Sequence, residues 1–373
     1  MRVHFVVFLI TATCSLVGCT QNSIPATADK NPVSTTPATS SDVEKVAEES
    51  APELEQIATS VDRDGSGTIT QVSFRGAEIT DETLQHLLEL KGVGSLLLND
   101  TAITDAGLET IGKLKTLYNL ELRGCSVTNE GLAHLTELEN LRALRLSGSN
   151  GLTTVDDDGL AHIAGLKNLK ALALDFLWVS EEGLSKLAEL QNLEELYLAK
   201  TLVGDEALPL LMQFPKLRKL RISQTHVSSA GLEHLAGLSN LEDLDLSENS
   251  QVFDDGMTHL AGLTSLKRLN LWRVAITDAG IEPLRGLTEM EWLNLDNTQL
   301  TDEGLKYLSG MTQLKSLHLG TTAVSDDGLA QLEGLKALDH LGVTRTAVTD
   351  EGVARLKTKL PDAEVQLKYL GDE

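Results

Sequence analysis

Apolar residues recur along this chain in two alternating rhythms. Leu108, Ile111 and Leu114 fall every third residue, as on one face of a short helix. Leu117, Leu120 and Leu122 then follow the order L-x-x-L-x-L, and the alternation of Leu120 with Leu122 is that of a short strand buried on one face. The two rhythms return behind a fixed opening phrase, as in Ile103-Thr-Asp-Ala-Gly-Leu108, Val179-Ser-Glu-Glu-Gly-Leu184 and Leu300-Thr-Asp-Glu-Gly-Leu305. Twelve openings start at positions 79, 103, 127, 155, 179, 203, 227, 252, 276, 300, 324 and 348; nine of the eleven intervals are 24 residues and the others are 28 and 25. A unit of this size cannot bury its apolar side alone, so stacked neighbours must share one core. The period predicts an α/β solenoid with short parallel strands on its concave face and helices on its convex face.

The phrase itself carries capping chemistry. Gly107, Gly131, Gly159, Gly183 and Gly231 fall in the first helical turn, and the Thr, Ser or Asp beside them can satisfy free helix amides. The repeated acids also suit the positive end of a helix. Residues 51–78 read as an amino-terminal cap: a helix over Pro52 to Val61, a turn at Asp62-Arg-Asp-Gly-Ser-Gly67, and a strand over Thr68 to Phe74. The solenoid then occupies 79–371, and polar residues replace the usual leucines over Leu360 to Leu367 as a second cap. Twelve strands at sheet spacing would give a concave face of about 55 Å.

This pattern resembles the leucine-rich repeat. The strand segment L-x-x-L-x-L-x-x-[T/C/N] followed by I-T-D-x-G-L is similar to the cysteine-containing subtype of the F-box/LRR proteins, over residues 79–371. The ninth position of the segment departs from that subtype. It is cysteine only at Cys125, threonine at Thr101, Thr201, Thr225, Thr298, Thr322 and Thr346, and Ser149, Asn249, Leu177 or Val274 elsewhere. No F-box-like helical region precedes the repeats, so the resemblance does not extend to a ubiquitin-ligase role.

The amino terminus reads differently from the rest. Arg2 precedes an apolar run from Val3 to Ile10, and small residues follow, which is a secretory signal too short to span a bilayer. The end of residues 1–18 together with Cys19, Leu16-Val17-Gly18-Cys19, resembles the lipobox of bacterial lipoproteins and implies cleavage before Cys19 and lipidation of its sulfur. An ordinary cleaved signal with a chance cysteine is the alternative. Residues 19–50 carry that cysteine and a Ser/Thr/Pro/Ala tether without apolar periodicity. Thr20 follows the cysteine, which by the same resemblance suggests the outer rather than the inner membrane. The expected place is therefore the cell envelope, with the membrane touched through the lipid anchor only.

Charge narrows the partners. Lys+Arg is 31 against Asp+Glu 55, a net charge of -24, so a phosphate backbone would be repelled and nucleic acid is not expected as a partner. Aromatic residues are 3% of the chain, so any clustering of them is informative. The residue between the paired strand leucines must leave the core. In the middle of the chain it becomes large and varied: Tyr197, Arg221, Asp245, Asn270, Asn294 and His318. With Trp272 and Trp292 from adjacent repeats, read as close enough to touch, these form a candidate partner-binding patch, since aromatics and arginine anchor interfaces. Phe176 and Trp178 extend it toward the strand-to-loop edge. The competing reading is outward drift or gap filling.

Other constellations are weaker. His86, His134, His162, His234 and His259 recur at one helix position, but they belong to the repeat phrase and no third ligand type accompanies them. The row Asp81, Asp105, Asp157, Glu181, Asp205, Asp254, Asp278, Asp302, Asp326 and Asp350 would stack carboxylates about 5 Å apart, which either caps helices or invites a divalent cation. Asp62, Asp64 and Ser66 resemble half of an EF-hand loop, but Ser73 stands where its bidentate glutamate belongs, so a hairpin turn is favoured. His318 and His340 approach each other without a nucleophile, and no catalytic motif is present. The expectation is a monomeric, non-enzymatic module without cofactor or metal that binds a protein, or alternatively a glycan. A self-associating spacer without a ligand is the structural alternative, and cation binding is a weaker one.

Overall fold

The computed structural model describes residues 54–368. The signal peptide at 1–18, Cys19, the tether at 19–50, and the ends of the cap and solenoid at 51–53 and 369–371 lie outside the described residues.

The described strands form one sheet in unbroken chain order. β1 (Ser60–Arg63) and β2 (Ile69–Ser73) are an antiparallel hairpin. β2 then opens a parallel run with β3 (Ser95–Leu97), β4 (Asn119–Glu121), β5 (Ala143–Ser147), β6 (Ala171–Asp175), β7 (Glu195–Tyr197) and β8 (Lys219–Arg221). The run continues through β9 (Asp243–Asp245), β10 (Arg268–Asn270), β11 (Trp292–Asn294), β12 (Ser316–His318), β13 (His340–Gly342) and β14 (Glu364–Gln366). The parallel run therefore has one strand more than the twelve expected, because the cap's second strand joins it in register, with Val72 beside Leu96.

The cap departs from its sequence reading. Residues 54–57 are helical, but Ser60–Arg63 is a strand where the helix was expected to continue. Register explains the change: Val61 pairs with Val72, and the hairpin gives the free edge of β2 a partner. The Asp64 carboxylate accepts bonds from the Ser66 amide and hydroxyl and the Thr68 amide, so it is committed to the turn.

The convex elements are short, and several are 3-10 rather than α-helices, as at Asp81–Glu89 and Gly231–Gly237. Apolar residues three apart eclipse one another in a 3-10 turn, which is the spacing the sequence supplies at Leu84, Leu87 and Leu90. Leu96, Leu120, Leu144, Leu172, Leu196, Leu244, Leu269, Leu293 and Leu317 are fully buried, so one central leucine per strand builds the aliphatic core.

The opening phrase interlocks consecutive repeats. Thr104 caps its own helix by accepting from the Ala106 amide. The same threonine gives its amide to Asp81 Oδ1 and its hydroxyl to Asp81 Oδ2, one repeat earlier. This two-bond latch recurs for Asp105–Thr128, Asp157–Ser180, Asp205–Ser228, Asp254–Thr277, Asp278–Thr301, Asp302–Ser325 and Asp326–Thr349. Eight of the ten acids in the row, all but Glu181 and Asp350, thus serve the next repeat's cap rather than standing as an open stack of repelling carboxylates. The glycine of the phrase is explained by the same contact: a Cβ at Gly131 would stand 2.1 Å from Asp105 Oδ1, and one at Gly328 2.2 Å from Asp302 Oδ1.

Where it is threonine or cysteine, the ninth strand-segment position closes its turn from inside. Thr101, Thr201, Thr298 and Thr346 donate their hydroxyls to the backbone carbonyl three residues earlier, and Cys125 places its thiol against Leu98 O. Burial pushes the Cys125 thiol above its ordinary value. It is the free cysteine among the described residues and is packed in the core.

Candidate binding face

The sheet register turns the outward residues into columns. One column runs Leu97, Glu121, Arg145, Ala173, Tyr197, Arg221, Asp245, Asn270, Asn294, His318, Gly342. A second column, two residues earlier on each strand, runs Glu195, Lys219, Asp243, Arg268, Trp292, Ser316, His340 through the middle of the face. Tyr197, Arg221, Asp245, Asn270 and Trp292 line one depression of about 260 Å³ with Lys219, Asp243 and Arg268. A neighbouring hollow of about 330 Å³ continues past Trp292 to Lys315 and Ser316.

Packing within the patch is specific. The Arg268 guanidinium lies 4.4 Å from the Trp292 ring centre. Trp292 meets the His318 ring at 5.4 Å, and His318 meets His340 at 5.3 Å. Arg221 lies over Tyr197 at 5.6 Å and pairs with Asp245 and Asp175. The Tyr197 hydroxyl donates to Glu195, which also binds Lys219. Burial, then the Glu195 charge, raises the Tyr197 phenol, so it stays a donor at neutral pH. Burial also raises the Asp243 carboxyl against the pull of Arg268 and Lys219.

His318 carries a testable proton equilibrium. Burial first, then the neighbouring His340 and Arg268, hold its imidazole below the ordinary histidine value. The unfolded chain therefore takes up this proton at a higher pH than the folded chain. The sign follows: this site contributes no penalty at neutral pH and costs stability as the pH falls below the ordinary histidine value. A titration of the histidine Cε1 resonances should give His318 a midpoint below the ordinary histidine value of 6.5. A midpoint at or above that value would contradict the packing described.

The structure separates two residues that the sequence placed together. Arg268 pairs with Trp292 across the sheet, whereas Trp272 lies two residues beyond Asn270. The two tryptophans are therefore four residues out of step, about 13 Å along the strand direction. Trp272 packs instead under Arg273, whose guanidinium is 5.3 Å from its ring. Asn294 and His318 continue the outward column on β11 and β12. Phe176 takes a left-handed backbone conformation just past β6, with the Lys200 ammonium 5.3 Å over its ring, while Trp178 is 68% exposed at the strand-to-loop edge. The residues missed from sequence are Lys219, Asp243 and Arg268. They obey the same alternation as the column that was read, one position pair earlier on each strand.

The first third of the face holds a different cluster. Burial would raise Glu121, but hydrogen bonds from Asn99 and Arg75 and the charge of Arg123 outweigh it and hold the carboxyl low. Arg145 lies 3.7 Å from the same carboxylate, so this cluster is internally paired. Among the described residues no group of three or more His, Cys, Asp or Glu is arranged to hold a metal ion, and the histidine row does not form one.

No family model matches the chain, and no curated protein matches it. Solved structures do. An internalin of Listeria monocytogenes (inlF) aligns with a TM-score of 0.61 at 21% identity, covering 90% of this chain and 98% of that one. Rad7 in the yeast Rad7–Elc1 complex aligns with a TM-score of 0.55 at 19% identity, covering 87% of this chain and 94% of the other. At these identities the likeness concerns the fold, and with the parallel sheet, the alternating helices and the 24-residue period it makes the described chain an α/β leucine-rich-repeat solenoid.

Proposed function

We propose that this chain is a non-catalytic protein-binding module held at a bacterial cell envelope, with its partner engaged on the concave face between β7 and β12. The observation that carries the reading is the central depression. There Arg268 and Trp292 stack beside Tyr197 and Arg221, with the His318 ring against Trp292, in a chain with few aromatics and a strongly acidic balance. Arginine and aromatic side chains gathered in a partly desolvated centre are the usual anchors of an interface. The Rad7 structure that shares the fold is a complex with Elc1, which supports a protein as the class of partner. Anchoring rests on the sequence alone: lipidation of Cys19 and the tether at 19–50 would hold the solenoid off the membrane surface.

The test is envelope crosslinking and capture with the full chain and with an Arg268→Ala/Trp292→Ala variant. The expected result is an unchanged melting transition and at least a tenfold loss of the captured partner. Identical capture by both proteins would overturn the reading. Cys19→Ala should release the protein from the membrane fraction without altering partner capture.

A further inference from the structure

Charge on the concave face is sorted strand by strand. Glu194 and Glu195 belong to the β7 segment, Arg218, Lys219 and Arg221 to β8, and Glu242, Asp243 and Asp245 to β9. Lys267 and Arg268 follow at the start of β10, and Glu291, Lys315 and Asp339 each stand one residue before β11, β12 and β13. Each sign returns at every second strand, a period of about 9.6 Å. The stripes pair with their neighbours: Arg218 with Glu242, Lys219 with Glu195, Arg268 with Asp243, and Lys315 with Glu291.

The two signs are not equally accessible. The side chains of Arg218, Arg268 and Lys315 are 52%, 48% and 55% exposed, while those of Glu242, Asp243 and Asp245 are 28%, 34% and 20% exposed. The long basic side chains stand above shorter acids that hold them in place. An arriving molecule meets cationic stripes first, on a protein whose overall charge has the opposite sign.

We propose that the β8–β12 face binds an extended acidic peptide segment in polyproline II conformation, with an acidic residue at every third position. This rests on the concave face being the interface, as argued above. A polyproline II helix rises 3.1 Å per residue with three residues per turn, so positions i, i+3 and i+6 lie on one side about 9.3 Å apart. Laid across the strands, such a segment keeps step with the basic strands β8, β10 and β12, with about 0.6 Å of mismatch over three contacts. A β-strand ligand repeats its side chains every ~6.7 Å and falls out of step at the second contact. The polyproline II backbone has no internal hydrogen bonds, so its carbonyls need outside donors. Asn270 and Asn294 commit Oδ1 to the Trp272 and Asp296 amides, which leaves their Nδ2 groups as donors on β10 and β11. Trp292 lies on β11, between two basic strands, where the part of its ring not covered by Arg268 and His318 can pack against a proline ring.

Fluorescence anisotropy on the full chain tests this with four probes of matched length or charge. They are a labelled (Glu-Pro-Pro)n peptide, its isomer with all glutamates in one block, a (Lys-Pro-Pro)n peptide and a polyuronate. The periodic acidic peptide should bind at least tenfold more tightly than the block isomer, weaken with added salt, and outcompete the polyuronate. Arg221→Ala/Arg268→Ala should lower its affinity at least tenfold. Lys315→Ala, on an exposed side chain whose removal does not threaten folding, should lower it about threefold, as one screened charge contact among several. Equal binding of the block isomer, tighter binding of the lysine peptide or the polyuronate, or no binding of the periodic peptide would each overturn the proposal. The wider reading of the face fails separately, through unchanged capture by Arg268→Ala/Trp292→Ala.

Discussion

Replacing Gly231 with alanine is expected to destabilise the solenoid by about 3 kcal/mol, a large effect for adding one methyl group to a helical position. Alanine ordinarily favours a helix over glycine by up to about 1 kcal/mol, so intrinsic propensity points the other way. The cost comes from the preceding repeat. A Cβ at 231 would lie 2.1 Å from Asp205 Oδ1 and 2.5 Å from its Cγ, and the only atoms crowding it within that range belong to Asp205. To relieve the clash, the carboxylate must leave the Ser228 amide and hydroxyl, which it binds at 2.8 and 2.6 Å. The control is the double variant. In an Asp205→Ala background the alanine at 231 should cost less than half as much, since only a 3.0 Å approach to the Asp205 Cβ persists. Denaturant unfolding of the four proteins gives the coupling energy directly. Additive costs would show that the latch does not set the glycine.

Asn249→Leu is expected to cost about 3 kcal/mol, the second large effect. Asn249 is fully buried, accepts from the Thr225 amide at 2.9 Å, and donates to Ile222 O at 2.8 Å and Leu246 O at 3.0 Å. It is therefore a cross-repeat clamp on a backbone amide, whereas the threonines at this position give their hydroxyls to a carbonyl of their own strand segment. Leucine would strand the Thr225 amide without its acceptor. Asn249→Thr should cost about half as much, because it restores the bond to Leu246 O in the manner of Thr298 and Leu295 O. Equal destabilisation by the two substitutions, measured by urea unfolding, would contradict this account.

The repeat made the fold legible because one leucine column per strand has to be buried and the spacing repeats in register. What it left out depends on contacts between repeats. The Asp205–Ser228 pair is 23 residues apart, and nothing within one unit marks the aspartate as an acceptor for the next unit's cap. The distance between Trp272 and Trp292 was misread because adjacency of repeats was taken for contact, while position along the strand decides it. Lys219, Asp243 and Arg268 escaped because the position two residues before the outward one was followed only at Trp292 and His340, although the period of two exposes it on every strand. The end of the helix expected over Pro52 to Val61 gave way to β1 at Ser60 because the edge of β2 needed a partner, a tertiary demand that local propensity does not contain.

The central claim is that this protein meets its partner on the concave face, and hydroxyl-radical footprinting of the captured complex tests it most directly. Trp292 and Tyr197 should lose most of their oxidation on binding, His318 should follow, and Trp178, 68% exposed at the strand-to-loop edge, should oxidise as in the free protein. Protection of Trp178 and Phe176 with Trp292 and Tyr197 unchanged would contradict the account and move the interface to the edge of the solenoid.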